Sequence, residues 1–81
     1  MSKLLDVEKK AAIRTRLARV EGQLRGVQRL IDEDADCETV AQQLSAARKA
    51  LDKSFFAMVA CIIEQGETSS QDVAAMLTKF A

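Results

Sequence analysis

The feature that most constrains this chain is the absence of proline, combined with only three glycines among its 81 residues. Proline and glycine are the residues that most often end helices, and the composition is otherwise rich in strong helix formers. Hydrophobic residues make up 48% of the chain and charged residues 30%, which is typical of a globular protein. The sequence therefore predicts an all-α fold, and its length predicts a single domain over residues 1–81.

The spacing of apolar residues predicts two long helices and a short C-terminal one. The first helix is expected from about Asp6 to Ile31, because its apolar positions alternate four and three apart in a heptad seam. That seam consists of Ile13, Leu17, Val20, Leu24, Val27 and Ile31. An acidic turn follows, in which Asp34 or Asp36 is the expected N-cap of the second helix.

The second helix is expected to end near Gln65, with Gly66 as its stop. Its predicted apolar stripe is Val40, Leu44, Ala47, Leu51, Phe55, Met58 and Ile62. One of Thr68, Ser69 and Ser70 is expected to cap the third helix. The predicted buried face of that helix is Val73, Met76, Leu77 and Phe80.

A hairpin of two amphipathic helices buries only half a core, so we expect the chain to associate with itself. Both long helices also carry apolar residues outside their main stripes, namely Leu30, Phe56, Val59 and Ile63. Surplus apolar surface of this kind has to be covered. The simplest solution is a homodimer in which two hairpins form an antiparallel four-helix bundle.

Several classes of function are made unlikely by what the sequence lacks. The chain contains no histidine, which excludes His-based triads, His general bases and His metal ligands, and we expect no enzyme activity. Since no apolar run approaches the roughly 20 residues of a membrane span and no signal-peptide pattern is present, we expect a cytoplasmic protein without a membrane partner.

Basic residues are concentrated in the first helix, although the net charge is zero. A helical wheel places Lys10, Arg14, Arg25 and Arg29 on one flank of the seam, and Lys9, Arg16 and Arg19 on the other. Such a distribution is compatible with a polyanionic partner and equally with an ordinary solvated helix.

Two cysteines are the candidate reactive residues. Cys37 lies in the first turn of the second helix and Cys61 near its end, about 36 Å apart along one helix, so they cannot meet within a chain. In an antiparallel dimer, Cys37 would lie level with residues 61–62 of the second copy. Cys61 is surrounded by apolar residues, so it is either part of such a site or a residue of the core.

The segment from Arg16 to Lys53 resembles the small all-helical repressors of the CsoR/RcnR family, which sense copper, nickel or cobalt, formaldehyde, or persulfides. The matched features in the first helix are Arg16, Gly22, Gln23, Arg25 and Gly26. The acidic turn ending in Cys37 also matches, as does the stretch QLSAARKALDK of the second helix, in which Gln43, Leu44, Ser45, Ala46, Arg48, Leu51 and Lys53 carry the match.

This resemblance implies a repressor that binds double-stranded operator DNA without a helix-turn-helix, commonly as a dimer of dimers. By position, Arg16 and Lys53 match basic residues that the family uses for DNA, and Cys37 matches its sensing cysteine. The candidate DNA contacts are Arg14, Arg16, Arg19, Arg25, Arg48 and Lys53. The candidate sensing residues are Cys37 and Cys61, and no cofactor is expected to be required.

The sequence departs from the family pattern at the ligand positions. The metal sensors have His 25 residues after the sensing cysteine, and the copper and persulfide branches have a second cysteine 29 residues after it; here these positions are Ile62 and Gly66. Formaldehyde sensors usually have proline where this chain has Ser2. The expected inducer is therefore a persulfide or another thiol-reactive species, with Cu(I) held by Cys37 and Cys61, or formaldehyde at Cys37, as the alternatives.

Overall fold

Residues 3–80 of the computed structural model form three α-helices: α1 (Val7–Asp32), α2 (Cys37–Gln65) and α3 (Ser70–Phe80). The prediction of an all-α chain with two long helices and a short C-terminal one is confirmed. Helices α1 and α2 form an antiparallel hairpin, and within the described residues α3 packs on α2 but not on α1. No helix in residues 3–80 combines the length and the apolar character needed to cross a membrane.

The turn between the long helices is fixed by backbone geometry and a side-chain cap. Asp34 has a left-handed backbone with φ 56°. The N–H groups of Asp34 and Ala35 donate to the carbonyl oxygens of Ile31 and Leu30, at 3.2 and 2.9 Å, which is the Schellman pattern of a helix end. Asp36 then caps α2 by accepting the backbone N–H three residues later, at 3.3 Å. Of the two predicted caps, Asp36 is therefore the cap and Asp34 forms the turn.

The connection from α2 to α3 also follows the sequence prediction. Gly66 has φ 70°, a left-handed conformation that glycine adopts without a steric penalty, and α2 ends at this residue. Ser69 caps α3, which begins at Ser70, because its hydroxyl accepts the backbone N–H of Asp72 at 3.1 Å. This loop turns α3 back onto the C-terminal half of α2.

Helices α1 and α2 pack through a row of small side chains on α2. Ala47, Ser54 and Cys61 are spaced seven apart and are buried, with Ala47 only 2% and Ser54 only 4% exposed. On α1, Val20 and Val27 are buried as well. The Ser54 hydroxyl is satisfied because it donates to the carbonyl oxygen four residues earlier, at 3.1 Å. We call Ala47, Ser54 and Cys61 the small-residue seam; its small side chains permit a close approach of the two helices.

The leucines that the heptad pattern placed in the stripe lie instead at the edge of the hairpin. Leu44 and Leu51 are each 49% exposed, and Leu17 and Leu24 are also exposed. Together with neighbouring side chains, Leu24, Leu44 and Leu51 line an apolar depression between α1 and α2, which we call the leucine groove. As expected, the hairpin therefore buries only part of its apolar surface, and the leucine groove is the part that stays exposed.

A second cluster joins α2 to α3. Val59 and Ile62 of α2 pack with Val73 of α3, and the partly buried side chains around them are Phe55, Met58, Met76 and Leu77. Two sequence expectations are corrected here. Val59, placed outside the stripe, is buried because α3 covers that side of α2, whereas Phe80, placed on the buried face of α3, is exposed at the last turn.

The small-residue seam predicts a strong difference between two neighbouring alanines. Replacing the buried Ala47 with leucine should lower the free energy of unfolding by about 1–3 kcal/mol, because the larger side chain separates α1 from α2. The matched control is Ala46→Leu, at an exposed position of the same helix turn, which should change stability by no more than about 0.5 kcal/mol. Urea denaturation followed by circular dichroism measures both. Equal effects at the two positions would contradict close packing through the seam.

Candidate functional site

Cys37 occupies an exposed position at one end of the leucine groove. It is the first residue of α2, directly after the cap Asp36. Its surroundings are mainly apolar, formed by Ile31, Asp34, Ala35, Val40, Ala41 and Leu44. Because Ala41 and Leu44 also line the leucine groove, the surface around Cys37 is continuous with that groove. A reaction at this thiol would therefore alter the same surface that the hairpin leaves uncovered.

Cys61 lies in a different environment. It is buried in the small-residue seam, near the open end of the hairpin. A separation of 24 residues turns its side chain about 120° around α2 relative to Cys37 and places it about 36 Å away along the helix. The structure confirms that one chain does not bring the two thiols together. It places Cys61 towards α1, the location expected of a core residue.

An ion pair lies over this end of the seam. Lys9 Nζ of α1 and Glu64 Oε2 of α2 are 2.6 Å apart. The hydrogen bond to Glu64 raises the pKa of Lys9 above its usual value, and the nearby carboxylates of Glu64 and Asp6 add to the effect against a smaller opposing contribution from burial. Lys9 is therefore protonated throughout the neutral pH range, and its contribution to the pair is lost as the pH rises through this elevated pKa.

The six candidate DNA contacts are all exposed, but they lie on two sides of the hairpin. Arg48 borders the leucine groove, and Arg14 lies beside Leu17 on the same side of α1. The position of Arg25 on the helical wheel also places it on the side of α1 that borders the leucine groove. The helical wheel places the remaining three candidates on the side of the hairpin opposite the leucine groove: Arg16, Arg19 and Lys53.

Arg16 and Lys53 lie at the same level of the hairpin. The backbone N–H of Leu5 donates to Gln65 Oε1 at 3.4 Å, which fixes the register of the two chain ends. Arg16 lies 11 residues after Leu5, and Lys53 lies 12 residues before Gln65. Since both segments advance mostly as helix, these two basic side chains come to the same height on one flank, which we call the basic flank.

A depression of mixed polar and apolar lining continues along this side of the hairpin, and the sequence pattern did not reveal it. Gln23 of α1 and Gln43 of α2 line it together with Gly26, Val27, Arg29, Leu30 and Thr39. Both glutamines belong to the matched segment, although no role was assigned to them. The helical wheel grouped Arg29 with Arg14 and Arg25, but Arg29 borders this depression instead.

The donor set of one chain does not by itself form a metal centre. Within residues 3–80, no group of three or more His, Cys, Asp or Glu side chains is placed to hold a metal ion. The soft thiolates that favour Cu(I) are restricted to Cys37, which is exposed, and Cys61, which is buried elsewhere. A two-thiolate site would need a second subunit. Ser2, which bears on formaldehyde chemistry, lies outside the described residues.

Sequence comparison identifies the family. Residues 9–79 match the sequence model of the metal-sensitive transcriptional repressor family. The chain belongs to this family. Its members are transcriptional repressors and not enzymes, which agrees with the expectation from the missing histidines and confirms the resemblance seen in the matched segment.

Several relatives of this repressor family are named as copper sensors. The copper-sensing transcriptional repressor RicR of Mycobacterium tuberculosis is 56% identical over 36 residues, covering 44% of this chain and 38% of that protein. The copper-sensing transcriptional repressor CsoR of the same species is 41% identical over 54 residues, covering 67% of this chain and 44% of that protein. CsoR of Bacillus subtilis is 39% identical over 44 residues, or 54% of this chain and 44% of that protein.

The matched part of the chain thus spans less than half the length of these curated relatives. No solved structure matches the chain at a significant level.

Proposed function

We propose that this protein is a DNA-binding transcriptional repressor that releases its operator when Cys37 is modified by a persulfide or another thiol-reactive species. The observation that supports this most strongly is the position of Cys37, exposed at the start of α2 and continuous with the uncovered leucine groove. Membership of a metal-sensitive repressor family supports the regulatory role.

The proposal includes self-association through the leucine groove. Leu24, Leu44 and Leu51 expose apolar surface that water disfavours, and a second hairpin packed antiparallel would cover it. Cys37 would then lie at the interface between two subunits. A modified side chain at that position changes the volume and polarity of the interface, which provides a physical route from the thiol to the assembly.

The proposed reaction at Cys37 is a sulfur transfer. The Cys37 thiolate attacks the terminal sulfur of a persulfide R–S–SH, a new S–S bond forms to Cys37, and the original S–S bond breaks. The thiolate RS⁻ leaves, and Cys37 becomes a persulfide. An exposed thiolate is required for this step, since the thiolate and not the thiol is the nucleophile. No metal ligand is needed.

The proposed DNA surface is the basic flank together with the arginines at the groove edge. Arg16 and Lys53 lie at the same level on the basic flank, so they can contact neighbouring phosphates of one DNA backbone. Guanidinium groups are well suited to phosphate because they donate in a planar fork. A dimer would present two such flanks.

Cu(I) is the second candidate effector. Three relatives favour it, since all are named as copper-sensing repressors. Two-coordinate binding by thiolates needs no histidine. Against it, Cys61 is buried towards α1, so a site shared by Cys37 of one subunit and Cys61 of the other would require α2 to change its packing at that end.

The assembly proposal predicts that the purified protein sediments as a dimer or larger species at micromolar concentration. Replacing Leu44 with aspartate should shift it towards monomer, because a charge in the groove opposes burial of that surface. Analytical ultracentrifugation measures the species. The control is Phe80→Asp, which changes an exposed apolar residue on α3. A folded monomer in the unmodified protein would refute self-association.

The DNA proposal predicts that Arg16→Ala and Lys53→Ala each weaken operator binding. Each should also reduce the slope of log K against log salt by about one unit, because one phosphate contact is lost. Titration by fluorescence anisotropy at several salt concentrations measures both quantities. Lys79→Ala is the matched control, since it removes the same charge from exposed α3. Unchanged affinity in both variants would exclude the basic flank as a DNA surface.

The effector proposal predicts that Cys37→Ala still binds operator DNA but no longer releases it after treatment with a persulfide donor. Cys61→Ala should still respond, because Cys37 acts alone. Anisotropy with labelled DNA, together with mass spectrometry of the modified thiols, measures the response. Titration with Cu(I) is the parallel experiment. If only Cu(I) releases DNA and both cysteines are needed, the copper function replaces the persulfide one.

A further inference from the structure

The depression beside the basic flank contains two carboxamides that the chain itself does not use. Gln23 of α1 and Gln43 of α2 line it from opposite helices, and both residues are exposed. Within residues 3–80, no hydrogen bond or ion pair engages either carboxamide. Each therefore offers both donors and an acceptor to a molecule from outside the chain. We call the surface formed by Gln23, Gly26 and Gln43 the glutamine depression.

Gly26 lies between the two carboxamides, one helical turn after Gln23 and level with Gln43. Among the residues that the structure describes, a Cβ added to Gly26 would have no packing neighbour within 4 Å. Packing inside the chain therefore does not require glycine here, although glycine in a helix interior is less stable than alanine. Glycine allows another molecule to approach the helix backbone closely, which is a reason for the residue that lies outside the chain.

Basic residues lie at both ends of the glutamine depression. Arg29 lines one end, and Arg19 lies one helical turn before Gln23 towards the basic flank. The ten residues from one arginine to the other correspond to about 15 Å of helix. The DNA major groove is about 12 Å wide, so the two guanidinium groups can reach phosphates on its opposite edges. The depression then lies over the groove itself.

The acidic turn nearby does not line the glutamine depression. Asp34 lines the surface around Cys37 instead. The carboxylate of Asp36 accepts the backbone N–H of Thr39 as the cap of α2. The side chains that line the depression are consequently neutral or basic, which is the charge that suits a polyanion.

We propose, on the basis of the proposed function, that the glutamine depression reads the operator sequence through hydrogen bonds from Gln23 and Gln43 to base edges. Phosphate oxygens only accept hydrogen bonds, whereas base edges in the major groove present donors as well as acceptors, and a glutamine carboxamide matches adenine with both of its groups. Gly26 lets the duplex come close enough for these contacts. The basic flank positions the protein by contacts to phosphate, and the depression discriminates between sequences.

The experiment compares two duplexes by fluorescence anisotropy. One is selected by the unmodified protein from a pool of randomised duplexes, and the other is a scrambled duplex of the same base composition. Gln23→Ala and Gln43→Ala should each reduce the preference for the selected duplex about five- to a hundredfold, the discrimination of one bidentate base contact. The slope of log K against log salt should stay unchanged, because no charge is removed. Gln71→Ala, at an exposed position of α3, is the matched control and should keep the preference.

Gly26→Ala and Gly22→Ala provide a second matched pair. Within residues 3–80, a Cβ at either position has no packing neighbour within 4 Å, and Gly22 does not line the depression. Both variants should raise the midpoint of thermal unfolding measured by circular dichroism, because alanine favours a helix over glycine. Only Gly26→Ala should lose affinity for the selected duplex. A loss of affinity in a stabilised protein excludes damage to the fold as its cause.

The proposal is overturned if both glutamine variants keep the preference of the unmodified protein, or if they lose affinity for the two duplexes equally. It is also overturned if Gly26→Ala binds the selected duplex as tightly as Gly22→Ala. The proposed function survives these outcomes as long as Arg16→Ala lowers the salt slope. If the unmodified protein selects no duplex from the pool, the proposed function itself is wrong, and sequence reading by the depression fails with it.

Discussion

The close approach of α1 and α2 through the small-residue seam is the constraint on which the other surfaces depend. Ala47 and Ser54 are almost fully buried, so the two helix backbones meet where α2 has its smallest side chains. A hairpin packed in this way cannot also bury the large side chains beside the seam. Leu44 and Leu51 are consequently displaced to the edge, where they form the leucine groove.

This packing divides the hairpin into surfaces with different chemistry. The leucine groove is apolar and ends at Cys37, whereas the basic flank carries Arg16 and Lys53 at one level. In the proposed mechanism, modification of Cys37 beside the association surface would change the assembly, and the assembly would set the spacing of the proposed DNA contacts. Those contacts lie on the basic flank and at the edge of the leucine groove, whereas family membership itself shows a transcriptional repressor.

The two cysteines illustrate how environment separates residues of identical chemistry. Cys37 begins a helix and is open to solvent, while Cys61 is buried in the small-residue seam. Two relatives of the family are named as copper-sensing repressors. In this chain the second thiol belongs to the hairpin interior.

The sequence by itself determined the all-α fold, the end of α2 at Gly66 and the family, and it restricted the cap of α2 to Asp34 or Asp36, because caps, left-handed glycine and matched motifs are local properties. Periodicity could not determine which apolar residues face α1, since a heptad seam and a hairpin interface share the same spacing. Only tertiary packing decided that Ala47 is inside and Leu44 outside, because the helix separation depends on side-chain size across both helices. It likewise decided that Gln65 binds the segment before α1, a contact between residues about 60 positions apart that no local pattern encodes.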